Sequence, residues 1–459
     1  MLIRFTVKNY LSFKDEVVFS MLPSKGTLMK THKTHPIKGI SVLKAAVAFG
    51  ANASGKSNLI KAIAFGQNML IRGNEGIDFI DYQPFRLADD SVKDNTKMEY
   101  EIQANGKCYA YGFVFNHDRI EEEWLYEINK KEDFLIFERN TSKKSFNIDF
   151  LLNNNSEPEQ QQFLTFLAKA TPEHQLFLHE VLTRNIQSNV SHIDDLNAVL
   201  GWFVNTLKII FPNNAYKPGV TLQATNDTEL KHYYSELLRY FDTGISSITL
   251  IKADIDKLDI PTDLLRIIKE DLLNPSAHNT YGTLKVGREI YLISADGKQL
   301  KAQKLKTVHE ITGTGKNAFF DINDESDGTL RIIDFIPLII DLLRGGKVFL
   351  VDEIERSLHP NLVYNIFELF FSQCASVDSQ LVASTHESSL LTQKLLRKDE
   401  IWFVSKNRMG ASRLNSLEEY RVRFDKEIRR SYMLGRFKGI PAIGARYQIE
   451  QLINNNKEG

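Results

Sequence analysis

A glycine-rich segment near the start of the chain, Gly50–Ser57, fits the spacing G-x-x-x-x-G-K-S/T. It follows a short apolar run, Lys44–Phe49, that predicts a buried strand, and it precedes a helical pattern that begins near Lys56. Gly50 and Gly55 allow the backbone to turn so that successive N–H groups converge on a phosphate group. The N-terminus of the following helix adds its dipole to the same anion site. The segment therefore predicts a phosphate-binding loop.

The side chains of this loop predict which phosphate groups it holds. An ammonium such as that of Lys56 neutralises the β- and γ-phosphates of a nucleotide, and a hydroxyl such as that of Ser57 binds Mg²⁺. A nucleoside triphosphate and Mg²⁺ are therefore the expected ligands of the loop. The predicted nucleotide-binding residues of the loop are Asn52, Ala53, Ser54, Gly55, Lys56, Ser57 and Asn58.

A second apolar run, Lys347–Val351, ends in two carboxylates, Asp352 and Glu353. Consecutive apolar residues of this kind predict a buried strand of a parallel sheet. Ligands of open α/β sheets bind at the carboxyl ends of such strands. Alone, an apolar run followed by two acidic residues is common in ordinary strands and loops. Together with the glycine-rich loop, it predicts the other half of a nucleotide-triphosphate site.

Composition limits the class of protein. The chain has 459 residues, enough for two or three structural units, and its 42% apolar and 25% charged residues are typical of a soluble globular protein. The net charge of -1 gives no global attraction to nucleic acid or membranes. Cys108 and Cys374 form no metal-ligand pattern, and the longest apolar run, Ile332–Leu343, is too short and polar to span a bilayer. We therefore expect a cytoplasmic protein without membrane contact.

The first part of the chain, residues 1–152, predicts the phosphate loop and an antiparallel sheet beside it. Runs at 97–103 and 108–115 alternate in polarity around an Asn-Gly pair, which favours a hairpin turn. Gln83 lies in a loop before these strands and is a candidate to sense Mg²⁺ and the γ-phosphate. An ordinary loop glutamine is an equally good interpretation of this residue.

The remainder divides into residues 153–280, which predict a helical insertion, and residues 281–459, which return to strands. Within the insertion, 196–211 carries apolar residues at helical spacing. In the last part, Ser326 precedes an apolar helix at 330–343. A serine at that position predicts a capped helix N-terminus, which is either an ordinary cap or a second anion site.

The ordered motifs resemble those of ABC-class ATPases of the SMC, RecF and RecN type. The matching segments are Gly50–Ser57 (Walker A), Ser326–Thr329 (signature), Val348–Glu353 (Walker B), Ser357–Pro360 (D-loop region) and Ser384–His386 (switch histidine). More narrowly, the chain resembles the OLD-like and AbiL-like ATPases of bacterial phage-defence and abortive-infection systems. The segments that carry this narrower resemblance are Glu325–Thr329, Asp352–Pro360, Arg397–Val404 and Gly435–Pro441.

This resemblance implies an α/β fold, a P-loop NTPase of the ABC-ATPase type with mixed parallel and antiparallel sheets and a helical insertion. The sequence departs from the class in two ways. Asp327 stands in the signature where transporters carry a glycine, and the insertion lacks the sustained heptads of a long coiled coil. The antiparallel strands and the insertion also disfavour a transporter ATPase.

The resemblance further implies that two copies pack head-to-tail around two ATP molecules, as a homodimer or within a larger homo-oligomer. Asp352 would bind Mg²⁺ together with Ser57, and the partner would supply Ser326 and Gly328 to the γ-phosphate. The catalytic residues would be Glu353, which orients or deprotonates the attacking water, and His386, which contacts the γ-phosphate.

The expected function is that of an ATP-hydrolysing regulator in a bacterial anti-phage defence system, which controls a separate effector such as a nuclease or toxin. No Asp-x-Asp metal pair follows His386, so we expect no nuclease domain of the OLD type. The alternative is an SMC/RecF-like ATPase that acts directly on DNA in repair. Basic residues that would line a DNA groove, or form an ordinary solvated face, are Arg421, Arg423, Lys426, Arg429, Arg430, Arg436 and Lys438.

Overall fold

The computed structural model describes residues 1–440 except 27, 35–39, 75, 155–156, 185, 187–189, 191–192, 226, 256–257, 259, 261, 274–280, 297–298 and 421–427. The described residues form two compact units, each discontinuous in sequence. The first unit contains Met1–Pro212, Gly346–Ile354 and the described residues from Phe371 onward. The second unit contains Asn213–Gly345 and Glu355–Phe370.

The strands, in chain order, are β1 (Leu2–Lys8), β2 (Val17–Ser20), β3 (Ala45–Phe49), β4 (Thr96–Ala104), β5 (Lys107–Phe115), β6 (Ile120–Glu127), β7 (Phe134–Asn140), β8 (Ser145–Asn147), β9 (Leu207–Ile210), β10 (Ser247–Ala253), β11 (Tyr281–Val286), β12 (Glu289–Asp296), β13 (Gln299–Ile311), β14 (Lys316–Asp321), β15 (Val348–Val351), β16 (Gln380–Thr385), β17 (Ile401–Lys406) and β18 (Ser412–Ser416). The α-helices are α1 (Lys56–Ile71), α2 (Asp149–Asn153), α3 (Pro158–Ala170), α4 (Phe177–Thr183), α5 (Asp194–Gly201), α6 (Pro218–Gln223), α7 (Thr228–Tyr240), α8 (Thr262–Leu273), α9 (Asp327–Arg344), α10 (Pro360–Gln373) and α11 (Ile428–Met433).

An antiparallel sheet with the order β2-β1-β4-β5-β6-β7-β8 lies in the first unit. Its strand β4 alternates between buried and partly exposed residues, as expected for a sheet with one face toward the core. Asn105 and Gly106 connect β4 to β5 with φ angles of 45° and 75°, so the predicted hairpin turn is confirmed.

A second sheet of the first unit has the order β18-β17-β3-β16-β15-β9, and all its pairs are parallel except that of β17 with β18. Every residue of β3, β15 and β16 is buried. Burial on both faces explains why these strands are continuous apolar runs in the sequence. The mixed parallel and antiparallel α/β architecture that was predicted is therefore confirmed.

Helix α1 packs in one hydrophobic core with residues of both sheets. The hydroxyl of Tyr100, on the antiparallel strand β4, donates to the Ile63 carbonyl at 2.9 Å. Gly66, on the next turn of α1, allows this close contact, because a Cβ there would lie 2.2 Å from the Tyr100 hydroxyl oxygen. The helix that follows the glycine-rich loop is therefore held tightly against the antiparallel sheet.

The segment 196–211 differs from its predicted single helix. Helix α5 ends at Gly201, a five-residue π-helical turn follows at Trp202–Thr206, and β9 then pairs in parallel with β15. A short apolar run has the same local pattern in a strand and in a helix, so the sequence around Leu207 does not distinguish the two. The strand forms because Leu207 pairs with Val348, which is far away in sequence. The predicted insertion at 153–280 therefore contains strands as well as helices, and its first residues belong to the first unit.

The second unit has an antiparallel sheet in the order β10-β13-β12-β11, with β14 added to β13. The helix predicted at 330–343 is α9, and Ser326 is its N-cap as expected. No helix among the described residues is long and apolar enough to cross a membrane.

We predict that Gly66→Ala destabilises the protein, by about 1–3 kcal/mol, because the new methyl group overlaps the Tyr100 hydroxyl. Tyr100→Phe removes that oxygen and one hydrogen bond, at a cost of about 1 kcal/mol. The double variant should lose less free energy of unfolding than the two single variants lose together, as measured by urea unfolding.

Gly201→Ala is the matched control, because nothing lies within 4 Å of a Cβ at that helical position. It should be neutral or slightly stabilising. If the free-energy losses of Gly66→Ala and Tyr100→Phe simply added in the double variant, the close contact between position 66 and the Tyr100 hydroxyl would be contradicted.

Candidate functional site

The parallel register of three neighbouring strands brings distant segments together at one edge of the sheet. Thr385 of β16 pairs with Phe49 of β3, and Ala383 of β16 pairs with Val351 of β15. Since all three strands run in the same direction, the residues that follow them meet at their carboxyl ends. The glycine-rich loop, the Asp352–Glu353 pair and His386 follow these strands, so these predicted site residues lie at this edge.

Two glycines of the loop are required by its packing. A Cβ on Gly50 would lie 2.4 Å from the Val404 carbonyl oxygen, which belongs to β17. Gly55 has a φ angle of 111°, and a Cβ on it would lie 2.2 Å from the Ser412 hydroxyl oxygen. Gly55 is also the N-cap of α1, and no side chain caps the helix there. The loop therefore leads directly into the start of α1, the kind of helix end at which anions bind, and anion binding at this position stays a prediction.

The Lys56 ammonium lies within the loop. The residue is only 5% exposed, and its Nζ donates to the carbonyl oxygens of Gly50 at 2.8 Å and Ala51 at 3.1 Å. Nζ also lies 3.5 Å from Nδ1 of His386. The structure thus places the predicted phosphate-binding ammonium beside the predicted γ-phosphate-binding imidazole.

Ser57 and Asp352 are in direct contact. The Ser57 hydroxyl donates to Oδ1 of Asp352 at 3.0 Å, although the two residues are 295 positions apart in sequence. A hydroxyl and a carboxylate are the oxygen ligands that Mg²⁺ prefers, and Mg²⁺ in phosphate sites takes only one or two protein ligands. The two side chains therefore fit the Mg²⁺ that was predicted between the loop and the carboxylate pair.

The Ser384 hydroxyl also meets the carboxylate pair, which the sequence analysis did not predict. Its Oγ donates to Oδ1 of Asp352 at 2.5 Å and accepts from the backbone N–H of Glu353 at 2.9 Å. Glu353 has a φ angle of 49°, in the left-handed region that a non-glycine residue rarely adopts. The only sequence signal for Ser384 was its place two residues before His386.

A hydroxyl network of Ser12 and Ser412 also holds the loop, and the sequence analysis missed it as well. The Ser412 hydroxyl donates to the Ser54 carbonyl at 2.6 Å and accepts from the Ser12 hydroxyl at 2.8 Å. Ser12 in turn accepts from the Asn58 side chain at 2.8 Å. Ser12 and Ser412 lie outside every motif, so only the tertiary structure reveals their connection to the loop.

The other predicted residues of the first unit have less defined roles. Asn52 and Ala53 lie exposed at the tip of the loop, where Ala53 has a φ angle of 60°. Gln83 is exposed, and its backbone carbonyl accepts from the N–H of Leu11 at 2.8 Å. Among the described hydrogen bonds, none links the Gln83 side chain to Ser57 or Asp352. The Gln83 backbone therefore contacts the loop that contains Ser12, and the role of its side chain toward Mg²⁺ stays a prediction.

The signature segment lies in the second unit. Ser326 accepts from the Thr329 N–H at 3.1 Å as the cap of α9, and a Cβ on Gly328 would lie 2.9 Å from the Ser357 carbonyl oxygen. The preceding residue, Glu325, is anchored to β13 by the Thr307 hydroxyl at 2.5 Å and by Nε2 of His309 at 2.8 Å. The start of α9 is thus fixed within its own unit.

Of the basic residues predicted for a DNA groove, the described ones are exposed: Arg429, Arg430, Arg436 and Lys438. Arg421, Arg423 and Lys426 lie outside the described residues. Exposed charges of this kind fit a solvated face as well as a groove.

The fold and the site together define an ABC-like P-loop ATPase. A phosphate loop connects a buried parallel strand to a helix, and a carboxylate pair and a histidine follow the two strands beside it. The chain belongs to the family described as "AAA domain, putative AbiEii toxin, Type IV TA system", which matches residues 47–392. Membership of this class implies the use of ATP and usually of Mg²⁺.

Comparisons with solved structures give similar chains at low identity. One is the crystal structure of an SMC head bound to the C-winged helix domain of ScpA, which is 16% identical in sequence. The match covers 91% of this chain and 98% of that chain, with a TM-score of 0.39. Another is the SMC head domain from Thermotoga maritima, with 11% identity, 90% and 98% coverage, and a TM-score of 0.33. No curated protein matches the sequence significantly.

We predict that Lys56→Ala lowers the affinity for ATP by about tenfold or more, because a charge-assisted contact to phosphate is lost. Binding of ATP in a calorimetric titration measures this loss. Lys61→Ala is the matched control, since Lys61 is exposed on the same helix and should leave the affinity unchanged. Equal affinities of wild type and Lys56→Ala would show that the loop does not bind phosphate through Lys56.

Proposed function

We propose that the chain binds ATP with Mg²⁺ at the carboxyl ends of β3, β15 and β16 and hydrolyses it. The observation that carries this proposal is the hydrogen bond between Ser57 and Asp352, with Lys56 and His386 beside it. A lysine, a hydroxyl, a carboxylate pair and a histidine at one edge of a parallel sheet are the groups that phosphoryl transfer requires. The protein's contribution to such a reaction is mostly positioning and charge neutralisation.

Each side chain then has a role in binding. Lys56 exchanges its contacts with the loop carbonyls for the β- and γ-phosphate oxygens of ATP, while the start of α1 contributes its dipole. Ser57 and Asp352 hold Mg²⁺, which supplies charge neutralisation of the phosphates when it is bound. Ser54 and Asn58 keep the loop in shape through their hydrogen bonds with Ser412 and Ser12.

Catalysis falls to Glu353 and His386. Glu353 follows Asp352 directly and is only partly buried, so its carboxylate can orient or deprotonate a water molecule that attacks the γ-phosphate. His386 lies next to Lys56, where it would contact the γ-phosphate. The Glu353 backbone is held by Ser384, which fixes the direction of its side chain relative to Asp352.

We further propose that a second copy of the chain completes the site with its signature segment. Ser326 and Gly328 lie at the start of α9, a helix of 18 residues, and Ser326 is exposed there. A long helix with an exposed N-terminus attracts an anion. ATP bound between two copies would hold them together, and hydrolysis would release them, so the protein would act as a homodimer or a larger homo-oligomer.

At the level of the cell, we propose a cytoplasmic regulator in a bacterial anti-phage defence system that controls a separate effector. The support for a defence-related role is the family description, which names a putative AbiEii toxin of a type IV TA system. The separate effector is our own proposal. The change between the ATP-bound pair and the copies released after hydrolysis would switch the effector, a nuclease or toxin. Salt-dependent binding of duplex DNA by the isolated protein would instead favour direct action in DNA repair.

We predict that Glu353→Gln retains ATP binding but lowers kcat by about a hundredfold or more, because the general base is lost. The variant should accumulate as an ATP-bound dimer. Steady-state hydrolysis and size-exclusion chromatography with ATP measure the two effects.

Glu355→Gln is the control for this experiment, because it places the same substitution two residues further along the chain. If Glu353→Gln hydrolysed ATP at the wild-type rate and Glu355→Gln did not, the catalytic role would pass to Glu355.

We predict that Ser326→Arg binds ATP but does not hydrolyse it, because bulk and positive charge then occupy the place of the partner's γ-phosphate. Mixing Ser326→Arg with Lys56→Ala should restore part of the ATPase activity. In a mixed pair, one site combines an intact phosphate loop with an intact signature, while the other site carries both defects. Activity of the two variants, separately and after subunit exchange, is the measurement.

Ser326→Ala removes the cap without adding bulk or charge and serves as the matched variant. It should lose far less activity than Ser326→Arg. If Ser326→Arg alone hydrolysed ATP normally, the composite site would be refuted, and Ser326 would be a helix cap only.

A further inference from the structure

Ser384 occupies the strand that separates the two halves of the site. In the sheet order, β16 lies between β3, which leads into the phosphate loop, and β15, which leads into the carboxylate pair. Ser384 pairs with Ala48 in β3, and the preceding Ala383 pairs with Val351 in β15. The residue is fully buried. A serine at this position is therefore not a solvated surface residue.

Ser384 contacts three consecutive residues of the neighbouring segment. Its hydroxyl donates to Oδ1 of Asp352 at 2.5 Å and accepts from the Glu353 N–H at 2.9 Å. Its backbone carbonyl accepts from the Ile354 N–H at 3.1 Å. The backbone contact is available to any residue, whereas the two hydroxyl contacts require a side chain that donates and accepts at the same atom.

We propose that Ser384 is a positioning residue that sets the two carboxylates in their separate roles. This inference rests on the proposed ATPase function and names a residue that acts through Asp352 and Glu353. The donated hydrogen bond fixes the Asp352 carboxylate through the same oxygen, Oδ1, that Ser57 contacts. The accepted hydrogen bond stabilises the left-handed backbone of Glu353, whose φ angle is 49°.

The geometry explains why one hydroxyl is needed for both carboxylates. A left-handed non-glycine residue persists only where its surroundings hold it, and such residues occur at functional sites. Without the hydroxyl, the Glu353 N–H loses its acceptor, and Asp352 loses one of its two hydroxyl donors. The Asp352 carboxylate then samples other orientations, so Mg²⁺ binding weakens, and the Glu353 carboxylate no longer points consistently at the attacking water.

The test is Ser384→Ala in the full-length chain, with Ser384→Thr as the conservative variant that keeps a hydroxyl. We expect Ser384→Ala to lower kcat by about tenfold to a hundredfold, the value of a hydrogen bond to a charged group. The affinity for ATP in the absence of Mg²⁺ should change little, because Lys56 and the loop are intact. Ser384→Thr should recover much of kcat. Ser384→Cys, which has only a weak donor, should behave as Ser384→Ala does.

A second measurement does not depend on turnover. Mn²⁺, a paramagnetic probe for the Mg²⁺ position, should bind about tenfold more weakly to Ser384→Ala with a non-hydrolysable ATP analogue, as followed by electron paramagnetic resonance. Ser379→Ala is the matched control, because Ser379 is also fully buried and lies just before the opposite end of β16. It should leave kcat and the Mn²⁺ affinity unchanged.

The outcomes separate this inference from the proposed function. A wild-type protein without ATPase activity would contradict the proposed function. An active wild type with a Ser384→Ala variant of equal kcat and equal Mn²⁺ affinity would contradict the role of Ser384 alone. A parallel loss of thermal stability and kcat in Ser384→Ala and Ser379→Ala would assign Ser384 a structural role only.

Discussion

The hydrogen bond between the Ser57 hydroxyl and Asp352 joins the two halves of the chain at the site, and it depends on the packing of three parallel strands. Each strand is buried along its whole length, so a shift of one strand along another would expose apolar residues and break the ladder. The register that buries the strands also aligns the segments that follow them. The chemistry of the site is thus a consequence of the core.

The loop and the carboxylate pair both contain backbone conformations that are costly in isolation. Gly55 tolerates its φ angle of 111° because it lacks a side chain, whereas Ala53 and Glu353 adopt left-handed conformations as non-glycine residues. Hydroxyl groups from elsewhere in the chain offset this cost. Ser12 and Ser412 hold the phosphate loop, and Ser384 holds the backbone of Glu353. Ser12 and Ser412, which lie outside every motif, are therefore part of the site together with Ser384.

Local patterns predicted those parts of the fold whose structure is set by neighbouring residues. The strand before the loop, helix α1, the Asn-Gly hairpin and the Ser326 cap of α9 all agree with the structure, because burial pattern, turn chemistry and capping are short-range properties. Strand β9 was predicted as helix, because its four residues acquire their strand conformation by pairing with β15, which is distant in the sequence.

The sequence by itself determined the phosphate loop, the carboxylate pair and the order of the motifs, since each depends on the identity of a few adjacent residues. Only the tertiary structure decided which distant side chains meet: Ser57 with Asp352, Lys56 with His386, and Ser384 with the carboxylate pair. It also brought the Gln83 backbone carbonyl to the N–H of Leu11, in the loop that contains Ser12. The physical reason is that strand pairing is non-local, so the contacts between strand ends exist only after the sheet has formed.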